Sequence, residues 1–87
     1  RLEAIYRAEL FLRELGLREV RVRHHGEIAR IEVPRDSMSR ILDPAVSERI
    51  AARLKSLGFR HIALDIEGYR MGSMNDPAGK GKDNGQG

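Results

Sequence analysis

Between Glu19 and Val33 the chain reads EVRVRHHGEIARIEV, and apolar residues recur at every second position on both sides of one glycine. A period of two is the signature of a strand with one face buried, and two such runs around a Gly-containing turn read as a hairpin. The spacing predicts strands over residues 19–24 and 27–33 with His25-Gly26 as the turn. Val22 would then face Ala29 and Val20 would face Ile31, giving one apolar side. The other side would set Arg23 against Ile28 and Arg21 against Arg30, with Glu32 diagonal to Arg21. A slip of one residue would mix the two faces, so the pattern itself argues for this pairing.

Helical patterns supply that layer. Ala4, Ile5, Ala8, Phe11, Leu12 and Leu15 form one stripe over residues 1–15, and Gly16 offers a left-handed stop with Leu17 folding back. After Pro34, Asp36 or Ser37 is placed to cap a short helical turn through Leu42. Asp43-Pro44 is a stronger start, and the helix it opens should reach Leu57 and bury Val46, Ile50, Leu54 and Leu57. Residues 59–66 read as a third strand, with Ile62, Leu64 and Ile66 inward and His61, Ala63 and Asp65 outward. The order α-β-β-α-β describes a single small α+β domain, a three-stranded sheet with two helices on one face. RELGLREVRV and KSLGFRHIAL echo each other. Helix capping alone accounts for the echo.

The domain is read as residues 1–70, with 71–87 as a flexible tail, because DPAGKGKDNGQG lacks the apolar content to pack. GKGKD in that tail is no phosphate-binding loop, since no helix can follow it. The chain begins at Arg1 with a helix already under way, which suggests the cut edge of a longer protein. With 87 residues, 40% hydrophobic and 33% charged, it reads as one globular domain of marginal independent stability. No run approaches the roughly 18 apolar residues of a membrane span. The absence of cysteine removes disulfides, thiolate metal sites and a cysteine nucleophile from these residues, and fits a cytoplasmic location.

The arginine-bearing hairpin face is the leading candidate site. Guanidinium forks match phosphate or carboxylate, and two arginines directly opposed repel unless an anion lies between them. The plain alternative is a solvated face on which Glu32, Glu19 and Asp65 pair the arginines. Net charge is +3, from 16 basic and 13 acidic residues, which permits an anionic partner without marking a nucleic-acid binder. Glu9 stands four residues before Arg13, an ordinary helical pair. His24 and His25 point to opposite faces of a strand and do not form a metal pair, and no Ser–His–Asp set is evident. The segment GYRMGSMN, residues 68–75, offers Tyr69, Arg70 and Ser73 on a Gly-flanked backbone that could turn N–H groups toward an anion.

Ala8-Glu9, Leu15-Gly16, RVRHHGEIARIEV (21–33), LKSLGF (54–59) and LDIEGYRMGSMN (64–75) together resemble the C-terminal part of the ATP-dependent sacrificial sulfur transferases. These are enzymes of the PP-loop superfamily that help build the nickel-pincer cofactor of lactate racemase. The resemblance implies an N-terminal domain that binds ATP and Mg2+ through SGGxDS and adenylates a carboxylate of a pyridinium dicarboxylate mononucleotide. A cysteine then attacks and gives up its sulfur, leaving dehydroalanine; some members use a cluster-bound sulfide instead. Neither SGGxDS nor a cysteine is present in these 87 residues, so no catalytic residue and no cofactor are assigned within them. By the same resemblance Arg21, Arg23 and Arg70 are substrate-phosphate binders, and Glu9 and Glu32 are acidic positions near the active site. Arg30 lies in the motif without an assigned role, and Met71 stands where the family commonly has Ser. The implied partners are the missing ATP-binding domain, the mononucleotide phosphate and further copies of the chain.

Two other readings stay open. A small α/β module could bind single-stranded nucleic acid, although its four aromatics, Tyr6, Phe11, Phe59 and Tyr69, do not sit centrally on the outward sheet face. A pure oligomerisation domain would bind no anion.

Overall fold

The hairpin organises the domain. In a computed structural model that describes residues 2–69, β1 (Arg21–His25) and β2 (Ile28–Glu32) pair antiparallel, and β3 (His61–Leu64) adds to β2 in parallel. The sheet order is β1-β2-β3. Three helices complete the fold: α1 (Leu2–Glu14), the short α2 (Met38–Leu42) and α3 (Pro44–Ser56), with a 3-10 turn at Arg35–Ser37. The expected α+β architecture is therefore the one observed. The tail of residues 71–87, and Arg70 with it, lies outside the described residues.

Local chemistry explains the boundaries. Pro44 occupies the first turn of α3, and the Asp43 carboxylate accepts the Val46 N–H at 3.3 Å. Neither Asp36 nor Ser37 caps α2 through its side chain, contrary to expectation; the backbone of the preceding 3-10 turn leads into it. α1 ends with Gly16 N–H donating to Arg13 C=O and Leu17 N–H to Leu12 C=O, and α3 ends with the same pair of bonds, from Gly58 to Lys55 and from Phe59 to Leu54. This is the origin of the internal echo. Gly16 has φ +98°, and Arg40 lies over it, donating from Nη2 to the Leu15 carbonyl at 2.8 Å.

Ala8 and Leu12 of α1, Ile50 and Leu54 of α3, and Ile41 of α2 close on Val22, Ala29 and Ile31 of the sheet, with Leu17, Val20, Val33 and Phe59 filling the ends. The sides of the sheet match the alternation in the sequence, but the register does not. Gly26-Glu27, not His25-Gly26, forms the turn, so Arg21 stands opposite Glu32, Val22 opposite Ile31 and Arg23 opposite Arg30. The pairing has moved by two residues. A shift of two returns every side chain to the same face, so binary patterning cannot separate the two registers. Ile66 is the second correction: it is 78% exposed, because β3 stops at Leu64 and a turn begins at Asp65. There Gly68 N–H donates to the Asp65 carbonyl and Glu67 N–H to its side chain, at 3.0 Å each. The chain then returns to the end of β2, where Tyr69 N–H meets Val33 C=O at 2.8 Å. No helix among the described residues is long and apolar enough to cross a membrane.

Candidate functional site

The helices cover one side of the sheet, and the other side carries the charges. β1 contributes Arg21, Arg23 and His25, β2 contributes Arg30 and Glu32, and Asp65 follows β3 on the same side. Glu32 is the anchor of this surface and is only 9% exposed. One of its oxygens accepts from Arg23 Nε at 3.4 Å and the other from Arg30 Nη2 at 2.9 Å. Arg30 also approaches the Asp65 carboxylate, Nε to Oδ2, at 3.7 Å. The opposed arginines are thus Arg23 and Arg30, not Arg21 and Arg30 as the sequence suggested, and a carboxylate lies between them. Their repulsion is offset internally and does not by itself demand a bound anion.

Arg21 differs from its neighbours. Among the described residues it has no carboxylate partner. Its guanidinium stacks over the Tyr69 ring, 5.1 Å from the centroid, and makes a long 3.5 Å contact from Nη1 to the Val20 carbonyl. Stacking on an aromatic face holds a guanidinium in one plane and leaves its edge donors available. Three guanidiniums, Arg21, Arg23 and Arg30, therefore share this face with two carboxylates, Glu32 and Asp65, and the excess positive charge rests on Arg21.

Glu9 is brought close by another route. α1 runs beside the free edge of β1, and the Glu9 carboxylate accepts the outward Val22 N–H at 2.9 Å while its other oxygen lies 3.7 Å from Arg13. The i,i+4 spacing made Arg13 its expected partner, but the bond to the strand has no signal in the sequence. A groove of about 440 Å3 follows this edge, and Glu9, Arg23, His24, His25 and Arg30 are among the residues that line it. The fold thus gathers Glu9, Arg23 and Arg30 at one groove, with Arg21 and Glu32 on the adjoining sheet face. Arg70 cannot be placed, since it lies outside the described residues. No spacing in the sequence links Tyr69 to Arg21: the turn at Asp65 brings it back across the guanidinium. Among the described residues no three His, Cys, Asp or Glu side chains gather as a metal would need.

The chain is similar to the pyridinium-3,5-bisthiocarboxylic acid mononucleotide synthase of Lactiplantibacillus plantarum. The two are 48% identical over 69 residues, which cover 79% of this chain and 24% of the synthase. It is also similar to an uncharacterized protein of Synechocystis, 35% identical over 75 residues that span 86% of this chain and 28% of that protein. The chain therefore spans about a quarter of the length of the curated relatives it matches. No family model matches it. The first similarity supports a relationship to this part of that synthase.

Proposed function

We propose that this chain is the C-terminal substrate-anion-binding and assembly domain of an ATP-dependent sulfur transferase that acts on a pyridinium dicarboxylate mononucleotide. The observation that carries the reading is Arg21. It sits on the outer sheet face opposite Glu32 but in no ion pair among the described residues, stacked on Tyr69, beside Arg23 and Arg30, which Glu32 holds. A mononucleotide phosphate would take the Arg21 fork and the free edge of Arg23, two charge-assisted contacts that replace water lost on binding. Glu32 fixes the separation of Arg23 and Arg30, so less side-chain freedom is lost when the anion arrives. Glu9 holds the edge of β1 and so fixes the strand from which Arg21 and Arg23 project.

ATP and Mg2+ are proposed to bind outside this chain. The described residues bring together no metal-ligating cluster, and the chain has neither SGGxDS nor cysteine. Nucleotide activation and sulfur donation are assigned to the three quarters of the synthase that this chain does not match.

Titration with inorganic phosphate tests the reading. Arg21→Ala should weaken binding about tenfold, the loss of one charge-assisted contact, while Arg53→Ala on α3 should leave it unchanged. When the domain is joined to an ATP-binding half, Arg21→Ala with Arg23→Ala should lose sulfur transfer to the mononucleotide. Unaltered transfer would count against the phosphate role.

A further inference from the structure

The two edges of the sheet are treated differently. At β1 the outward Val22 N–H is taken by Glu9. At β3 no further strand pairs with the outer edge among the described residues. Asp65 N–H donates to Ile31 C=O, and Ala63 pairs with Arg30 in the parallel ladder. His61, Ala63 and Asp65 therefore turn their backbone groups toward β2, and Ile62 and Leu64 turn theirs outward. An edge of this kind is a template for another strand.

We infer that β3 pairs antiparallel with β3 of a second copy of this chain, with Ala63 opposite Ala63 on a two-fold axis. The inference deepens the assembly half of the reading above. The register follows from chemistry on this edge. Side chains across a ladder share a face, so an outward residue must meet an outward residue. With Ala63 on the axis, Ile62 meets the partner's Leu64 twice, and both pairs use the outward N–H and C=O groups. On the charged face, His61 then stands opposite the partner's Asp65. Centring on Ile62 would set Leu64 against Arg60. Centring on Leu64 would set Asp65 against Ala63, and its only charge pair, His61 with Glu67, would need Glu67 in an extended strand, whereas it lies in the turn after β3. Ala63 is the smallest side chain in β3, so the strands can approach at the axis.

The apolar face agrees. A groove of about 340 Å3 lies between α3 and β3, with Leu42, Ala51, Ile62 and Leu64 in its walls. Leu42 is 65% exposed. The partner's Ile62 and Leu64 would lie beside this groove and extend its apolar wall. A two-fold axis normal to the sheet keeps both arginine faces on one side and leaves Arg21, two strands away, open.

Sedimentation equilibrium of the 87-residue chain from about 10 µM to 1 mM tests this. The expected result is a monomer that doubles in mass as concentration rises. Ala63→Lys places two ammonium groups at the axis and should weaken self-association at least about tenfold. His61→Glu should weaken it by setting two carboxylates against each other, and His61→Lys should preserve it. Circular dichroism verifies that each variant is folded; both positions are exposed. A chain that stays monomeric throughout, as it would if another protein or another segment of a longer chain covered this edge, overturns the inference. So does a dimer indifferent to both Ala63→Lys and His61→Glu. Phosphate titration of the Ala63→Lys chain keeps the two readings apart, since pairing can fail while anion binding survives, and the reverse.

Discussion

Glu32 shows how one residue can stabilise a fold and limit a site together. It is nearly buried and offsets the charges of Arg23 and Arg30, which would otherwise oppose each other. Glu32→Gln should lower stability by about 1–2 kcal/mol, between the values for exposed and buried pairs because both arginines remain partly exposed. The same change frees one positive charge, so phosphate should bind more tightly. Thermal melts in phosphate-free buffer and a phosphate titration read the two effects, and weaker phosphate binding would mean that Glu32 acts mainly by aiming the arginines. The arginine cluster and Glu32 were legible from alternation alone. The partner of each was not, because two registers share one binary pattern and the stack joins Arg21 to Tyr69, forty-eight positions further along the chain.

At the scale of elements, the two helix ends are a built-in comparison. Gly16 and Gly58 close α1 and α3 with the same hydrogen bonds and with φ of +98° and +110°. An added Cβ at Gly58 meets nothing within 4 Å, whereas at Gly16 it would lie 2.7 Å from Arg40 Nη2. Gly58→Ala should therefore cost about 1 kcal/mol, the left-handed backbone penalty alone. Gly16→Ala should cost about 1 kcal/mol more by displacing Arg40 from the Leu15 carbonyl. Urea denaturation of both variants measures the difference, and equal losses would show that Arg40 contributes nothing at this joint. The helices themselves were readable because their stripes, caps and glycines agree, and local agreement of this kind needs no distant partner.

At the scale of the whole molecule, the core is one thin layer between two long helices and three short strands, and few residues carry it. Leu54 is fully buried at its centre. Leu54→Ala should cost about 2–5 kcal/mol, a large part of what a domain of this size has. The variant should lose its cooperative melt near room temperature, and a retained sharp transition would mean the core collapses around the gap. The amino-acid sequence by itself determined the helices, the strands, the apolar side of the hairpin and the side on which the arginines lie. Those properties follow from periodicity and capping within a few neighbouring residues. The tertiary structure alone decided that Arg21 faces Glu32, that Glu9 holds the edge of β1, that Tyr69 covers Arg21 and that, among the described residues, no strand pairs with the outer edge of β3. Each of these is a meeting of segments far apart in the chain, and a repeat of two or of 3.6 residues carries no information about which distant group stands opposite.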